Sequence, residues 1–156
     1  MTDNDQTQKP QPEFALQRIY IKDLSFETPH SPDVFRLEWR PETTLNLNNE
    51  VQKLADDVYE VVLTITVTTK VQDKTAYLVE VKQAAIIGAR GFSEPELNHM
   101  LAAYTPNILF PYAREVVSDL VGKGSFPQML LAPVNFDLLF ARHQAQMAEQ
   151  GSPSLQ

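Results

Sequence analysis

The chain has 156 residues, a formal charge of −7 and no cysteine. This length suits a single domain, and the lack of cysteine excludes disulfides and thiolate metal sites. The negative charge argues against nucleic acid as a partner, because phosphate binding needs clustered lysine and arginine. The N-terminus lacks the basic start and apolar core of a signal peptide, and no apolar run approaches the length of a membrane span. We therefore expect a soluble, cytoplasmic protein that does not insert into membranes.

The two ends differ in composition from the rest of the chain. Residues 1–13 are polar and contain Pro10 and Pro12, and residues 148–156 are similarly poor in large apolar side chains. Such segments cannot bury enough surface to offset the entropy of ordering them, so both are predicted to be disordered tails. Residues 14–147 form the predicted folded domain.

Four segments have the pattern of β-strands, namely residues 14–22, 44–51, 58–69 and 75–83. Alternation is strictest in 58–69, which predicts one buried face and one solvated face. Short turns between the later strands predict an antiparallel meander. The stretch that follows the first strand holds Pro29, Pro32 and Pro41, which predicts a long crossover rather than a regular element.

After Gly91 the apolar period changes to that of a helix. Ser93 and Glu96 have the spacing of a capping box, and Gly122 is a suitable end. The predicted apolar stripe of this long helix comprises Leu97, Leu101, Tyr104, Ile108, Tyr112, Val116 and Leu120. Pro106 and Pro111 are expected to bend or interrupt it.

Asn135 is predicted to cap a last helix, whose apolar stripe comprises Phe136, Leu139, Phe140, His143 and Met147. Strands followed by helices predict an α+β domain, with the helices on one face of an antiparallel sheet.

The residues that could carry chemistry are scattered. The three histidines, His30, His99 and His143, are not at metal-ligand spacing. The Asp56–Asp57 pair lies between two strands and indicates a turn. Residues 122–125 lack the earlier glycine, strand and helix of a phosphate-binding loop. We predict that the protein is not an enzyme and has no catalytic residue, metal or cofactor.

Large apolar side chains occur where loops are predicted. Phe26, Phe35 and Trp39 lie in the crossover, and residues 126–131 add Phe126, Met129 and two leucines. Either each loop folds over the core and buries these residues, or they line a groove for adaptable apolar recognition. Composition alone favours the first interpretation.

Five segments resemble the SecB family of bacterial export chaperones: RIYIKDLSFETP (18–29), LADDVYEVVLTITVT (54–68), TAYLVEV (75–81), YTPNILFPYARE (104–115) and FPQMLLAPVNFDLLF (126–140). The likeness extends over about residues 14–140. It implies a four-stranded antiparallel sheet with a long helix and a C-terminal helix. It also implies a homotetramer, a dimer of dimers, that holds unfolded precursors without ATP and passes them to the SecA motor.

The resemblance also implies two binding sites. An acidic patch for the basic zinc-binding C-terminal segment of SecA would comprise Asp23, Glu27, Leu78 and Glu80. The crossover and the interhelical loop would contribute to a client groove, for which we select Phe35, Trp39, Phe126, Leu130 and Phe140. The resemblance thus reverses the preference that composition alone gave for these loops.

An oligomer interface is expected on one face of the last strand. One chain of this length is expected to lack the interior to cover both this face and the long helix stripe. The residues concerned are Tyr77, Val79, Val81 and Gln83. Leu78 and Glu80 point the other way, to the solvated face.

Three other functions were weighed against the export chaperone. A ligand-binding or regulatory module would show a closed pocket with convergent polar groups. An enzyme would show a perturbed titratable cluster in a cleft. A SecB-like chaperone dedicated to a toxin–antitoxin pair is a third alternative, against which the intact acidic patch argues.

Overall fold

The computed structural model describes residues 11–151, in which four strands precede three helices. These elements are β1 (Glu13–Glu27), β2 (Glu42–Ala55), β3 (Val58–Val71), β4 (Lys74–Arg90), α1 (Glu94–His99), α2 (Thr105–Lys123) and α3 (Phe136–Gln150). A 3-10 turn (Asp33–Arg36) lies in the crossover, and a π-helical turn (Met100–Tyr104) joins α1 to α2. The strands form one antiparallel sheet in the order β1-β4-β3-β2. The predicted α+β class is confirmed.

Two tight turns set the register of the meander. Gln72 and Asp73, between β3 and β4, both have positive φ, as a type I′ hairpin turn requires. Asp56 and Asp57 make the turn between β2 and β3, with Asp57 at a φ of 59°. The turn interpretation of the Asp56–Asp57 pair is therefore confirmed.

The first strand is longer than its composition indicated. The prediction ended it at residue 22, whereas β1 continues to Glu27 and contains both Asp23 and Phe26. Pairing with β4 supplies the hydrogen bonds that keep this polar stretch extended. The crossover is correspondingly shorter, and it begins only after Glu27.

The core lies between α2 and the inner face of the two central strands. Val61, Leu63, Ile65 and Val67 of β3 and the facing residues of β4 are fully buried. Helix α2 covers them with Leu109, Ala113, Val117 and Val121, which recur every four residues. Ala113 lets the helix approach the sheet closely.

The predicted stripe of the long helix was wrong by about one residue. Tyr104 and Tyr112 were assigned to the buried face, but they are 45% and 50% exposed. Both faces of this helix carry apolar side chains, so periodicity alone could not select the face that meets the sheet. The second apolar face is left largely uncovered within one chain.

The prolines do not divide the long helix. The π-helical turn lies directly before Pro106, and Thr105 donates to the Met100 carbonyl oxygen from both its backbone N–H and its hydroxyl, the latter at 2.8 Å. Pro106 has no N–H to donate to the preceding turn, and the wider π-helical turn allows for this missing hydrogen bond. Pro111 lies inside α2. The expected interruption is thus a single π-helical turn.

Both predicted helix caps are confirmed. The Ser93 hydroxyl accepts from the Glu96 N–H, and the Glu96 carboxylate accepts from the Ser93 N–H. Asn135 Oδ1 accepts from the Leu138 N–H at 3.0 Å. Helix α3 extends to Gln150, so residues 148–150 are helical rather than part of a tail. Glu13 was also predicted to belong to a tail, but it begins β1 and pairs with Arg90. Residues 1–10 and 152–156 of the predicted tails lie outside the described part.

Close packing at the end of α2 yields a stability prediction. A Cβ added at Gly124 would lie 2.8 Å from Phe26 Cζ and 2.9 Å from Phe126 Cδ2, both on stiff aromatic rings. We expect Gly124→Ala to lower the free energy of unfolding by about 1–3 kcal/mol through overpacking. Urea unfolding followed by circular dichroism, at matched protein concentration, measures this change.

Gly122→Ala is the matched control. Its added Cβ would meet no atom within 4 Å, and its position is helical. We expect a gain of about 0.5–1 kcal/mol there, because alanine orders at lower entropic cost than glycine. Equal stability of the two variants would contradict the packing described for Gly124.

Candidate binding surfaces

The four residues predicted for the acidic patch lie together on the outer face of the sheet. Glu27 of β1 pairs with Leu78 of β4, and Ser25 of β1 pairs with Glu80. Directly paired residues of an antiparallel sheet point to the same side, so Asp23, Glu27, Leu78 and Glu80 share one surface. Asp23 and Glu27 are exposed, and the two β4 residues are half-buried.

A one-residue bulge in β1 gives Asp23 and Glu27 this orientation. Ile21 pairs with Gln83 and Asp23 pairs with Lys82, so Lys22 is the extra residue. Between an earlier register shift at residues 16–18 and this bulge, the odd-numbered residues 19 and 21 face inward, whereas after the bulge the odd-numbered residues face outward. Without the bulge, Asp23 and Glu27 would point towards the core side.

The acidic patch keeps its negative charge. Within residues 11–151, no Lys, Arg or His nitrogen lies within 4.0 Å of a carboxylate oxygen of Asp23, Glu27 or Glu80. The Thr66 hydroxyl donates to Glu80 Oε2 at 3.2 Å and holds that side chain on the sheet. None of the three carboxylates is held in an ion pair within these residues. Lys82 lies on the same face opposite Asp23, so the patch has three acidic side chains and one basic one, and its net negative charge favours a cationic partner.

A second cluster on the outer face was missed at the sequence level. Lys22 Nζ donates to Glu60 Oε1 at 2.7 Å, and the Tyr20 hydroxyl donates to Glu60 Oε2. Glu60 is only 9% exposed, although alternation had assigned it to the solvated face. The outward position of Glu60 was visible in the sequence, but the partners that cover it come from a strand some 40 residues away.

These contacts change the titration of both acids. The hydrogen bonds from Lys22 and Tyr20 hold the pKa of Glu60 below its ordinary value, despite the opposing effect of burial. Burial, together with the hydrogen bond to the Glu60 carboxylate and its charge, raises the pKa of Tyr20 to about 12. Glu60 is therefore a carboxylate and Tyr20 a neutral hydrogen-bond donor at neutral pH.

Three of the predicted client-binding residues form an aromatic cluster. The ring of Phe126 is buried, and its centroid lies 5.2 Å from that of Phe35, 5.8 Å from Trp39 and 5.0 Å from Tyr77. Such spacings are typical of favourable aromatic pairs. The crossover and the interhelical loop thus meet over one end of β4.

This cluster combines the two interpretations of the apolar loops. Phe126 folds onto the core, as the first interpretation expected. Phe35 is nevertheless 48% exposed, and Leu130, further along the interhelical loop, is 69% exposed. The loops therefore cover the core and still present apolar side chains to solvent.

Phe140 belongs to a separate surface between α3 and the edge strand β2. It lines an open cavity of about 420 Å³ whose other lining residues are Leu47, Asn48, Asn49, Val51, Leu63, Ala102, Phe136, Leu139 and His143. The Phe140 ring packs edge-on against His99, and His99 Nε2 lies 2.6 Å from Asp137 Oδ1. These contacts hold the start of α3 beside α1. Apart from Phe140, the residues of this groove were not predicted to bind a client.

The predicted oligomer interface is corrected by the structure. All four residues lie on the inner face of β4, at most 3% exposed, within the hydrophobic core of their own chain: Tyr77, Val79, Val81 and Gln83. Their strand alternates, as expected, but the helix of the same chain covers them. They can influence a second copy only through the elements that lie over them.

Residues 11–151 contain neither a candidate metal cluster nor a candidate membrane-spanning helix. No group of three or more His, Cys, Asp or Glu side chains in this range is arranged to hold a metal ion. No helix in the same range combines the length and the apolar character that crossing a bilayer requires.

Comparison with known proteins gives a consistent result. The protein-family model described as preprotein translocase subunit SecB matches residues 7–147. A protein named protein-export protein SecB, from Methylococcus capsulatus, is 54% identical over 147 residues, which cover 94% of each chain.

A solved structure shares the fold at much lower identity. It is the Mycobacterium tuberculosis Rv1957 SecB-like chaperone, in complex with a ChAD peptide from the Rv1956 HigA1 antitoxin. The TM-score is 0.65 at 18% identity, over 78% of this chain and 90% of that one. This likeness shows the same fold. The family match and the 54% identical relative show that the chain belongs to the SecB family of protein-export chaperones.

Proposed function

We propose that this chain is a cytoplasmic, ATP-independent holdase that binds unfolded precursors and delivers them to the SecA motor, without catalysing a reaction. The observation that carries the proposal is the exposed apolar surface at the Phe126 cluster, on a chain of the export-chaperone family. Family membership supports export as the task, and the 54% identical relative bears the name of an export protein. These findings favour export over service to a toxin–antitoxin pair.

The client surface suits unfolded chains of varied sequence. Phe35 and Leu130 offer apolar area that a client can cover, at roughly 25 cal/mol per Å² less the cost of ordering the client. The groove beside β2 adds a sheet edge, because β2 is the last strand of its sheet. An extended client could pair with this edge through its backbone, which every sequence provides. The grooves are open, unlike the closed polar pocket of a small-molecule binder.

Client binding is tested by removing exposed side chains that contribute little to the core. We expect the Phe35→Ala, Leu130→Ala double variant to weaken binding of a slow-folding precursor by about tenfold, roughly 1.4 kcal/mol, while the oligomer persists. The measurement is the delay in precursor refolding without ATP, titrated against chaperone concentration. Trp39→Ala should act in the same direction.

Leu54→Ala is the control for this experiment. Leu54 is also a large, exposed apolar residue, but it lies at the end of β2, away from the aromatic cluster and outside the lining of the groove beside β2. Alanine there leaves the backbone groups of the β2 edge unchanged. We expect its variant to delay refolding as the unmodified protein does. If the double variant also held the precursor as well as the unmodified protein, the Phe126 cluster would not be the client surface.

We further propose that Asp23, Glu27 and Glu80 bind the basic zinc-binding C-terminal segment of SecA, around Leu78 as an apolar centre. The shared outer face supports this assignment, as does the absence of an ion pair to these carboxylates within residues 11–151. Carboxylates on one surface speed the encounter with a cationic segment, and salt screens the attraction beyond about 10 Å at 0.1 M.

The test of this patch is a charge reversal with a matched control on the same sheet face. We expect Glu80→Lys to weaken binding of the SecA segment by at least tenfold and to flatten its dependence on salt, as measured by calorimetry at two salt concentrations. Glu50→Lys introduces the same charge change on β2, at the far edge of the sheet. Equal affinities of the two variants would exclude the patch, and client holding should survive in both.

The proposed assembly is a homotetramer, a dimer of dimers. The exposed apolar face of the long helix carries Tyr104, in the π-helical turn, and Tyr112, in α2. The inner face of β1 adds exposed Leu16 and Leu24. Phe14 of β1 packs edge-on against Tyr104, with ring centroids 5.1 Å apart, which joins the two into one surface. A contiguous apolar surface of this kind supports burial against a second copy.

Light scattering at micromolar concentration tests the assembly. We expect the unmodified protein to be a tetramer and Tyr112→Glu to shift it to smaller species, because the glutamate would be buried without a partner. Leu138→Glu, at an exposed apolar position of α3, should leave the tetramer intact. A stable monomer of the unmodified protein would refute the proposal.

A further inference from the structure

The placement of the Lys22 side chain has a consequence for the acidic patch. Lys22 directly precedes Asp23, yet its ammonium lies 2.7 Å from the Glu60 carboxylate on β3, on the far side of β4. Ala84 of β4 pairs with Tyr20 on one side and with Val62 on the other. The methyl group of Ala84 leaves room for the Tyr20 and Lys22 side chains to cross the strand, and Ala84 is fully buried.

Burial explains why the ammonium lies at Glu60 rather than at Asp23. Glu60 is nine-tenths buried, so its charge needs a partner, whereas Asp23 is exposed and solvated by water. Attraction is also stronger where water is partly excluded. Lys22 is the inserted residue of the bulge that directs Asp23 outward. Its ion pair with Glu60 therefore also stabilises the bulge.

We propose that Glu60 is a positioning residue for the acidic patch: it holds the Lys22 ammonium over Ala84 and away from Asp23, so that the positive charge of Lys22 does not offset the negative charge of the patch. The consequence for binding rests on the proposed function of that patch. The consequence for the position of Lys22 does not.

The binding test uses the full chain and the isolated zinc-loaded basic segment of SecA as the probe. Glu60→Leu removes every side-chain acceptor for Lys22 at that position and frees one positive charge beside the patch. We expect its affinity to fall about three- to tenfold, with a flatter dependence on salt. Adding Lys22→Met removes the freed charge, and we expect the double variant to bind within about twofold of the unmodified protein.

Restoration by the second substitution separates positioning from a merely structural role. A loss caused by general damage to the sheet would persist or grow in the double variant. Glu50→Leu raises the net charge by the same single unit on β2 and should leave the affinity unchanged. Unaltered affinity in Glu60→Leu, or no restoration in the double variant, would overturn the proposal. Glu60→Val also lacks a side-chain acceptor, and its β-branched side chain suits a strand, so it serves the same comparison if leucine prevents folding.

A crystal structure of the Glu60→Leu variant decides the structural part without any partner. We expect Lys22 Nζ within 4 Å of a carboxylate of the patch, and a side chain still directed away from Asp23 would overturn the inference. If the unmodified protein fails to bind the SecA segment, the proposed function of the patch fails, and this crystal structure still tests the position of Lys22.

Discussion

The contact between α2 and the inner face of β3 and β4 determines where every candidate surface lies. This contact buries the four-residue repeat of α2 against the two most apolar strands and so uses one face of the helix and one face of the sheet. The outer face of the sheet is left for polar side chains. The second face of α2 and the inner side of β1 are covered only in part, and the loop after α2 folds back over β4. The positions of the acidic patch, of the surface proposed for assembly and of the client surface therefore all follow from the packing of α2 on the sheet.

The bulge in β1 resolves a conflict between the two faces of that strand. The apolar side chains of Ile19 and Ile21 face the inner side of the sheet, and so do those of Leu24 and Phe26. In a regular strand, odd-numbered and even-numbered residues would face opposite sides. One inserted residue satisfies both pairs, and it turns Asp23 and Glu27 outward as a result. The inserted residue is a lysine, so the bulge also brings a cation beside the patch, and the buried Glu60 carboxylate holds it elsewhere.

Local sequence signals were sufficient for the architecture. The alternation of residues 58–69, the capping box at Ser93 and the cap at Asn135 depend on neighbours within a few positions, so each could be predicted from the sequence alone. The four residues of the acidic patch were also expected to lie together, but only because of the family resemblance. Their proximity depends on the pairing of β1 with β4, whose paired residues are some 50 positions apart in the chain.

The misassigned residues depend on long-range packing. Glu60 looks like any solvated acid of an alternating strand until Tyr20 and Lys22 reach across Ala84 to cover it. Tyr104 and Tyr112 fit an apolar helix stripe as well as the buried residues do. Which face of the helix is buried depends on its packing against the sheet, which the helix sequence alone does not reveal. The last residues of β1 were misjudged for the same reason, since their extended form depends on hydrogen bonds from β4.

On the proposed assignment, the client and motor surfaces approach each other most closely at one peptide bond. Tyr77 points inward to the Phe126 ring, and Leu78 points outward between Glu27 and Glu80. Alternation of the strand therefore separates the two surfaces by the thickness of the sheet, so that one partner does not obstruct the other. Allosteric coupling between the two surfaces would need a structural element that adopts two alternative conformations. The residues of β4 on either side of Leu78 are fully packed, and a close-packed strand resists such a change. On this assignment the sheet separates the two sites, which allows a client and the motor to bind at the same time, and we expect no signal between them through β4.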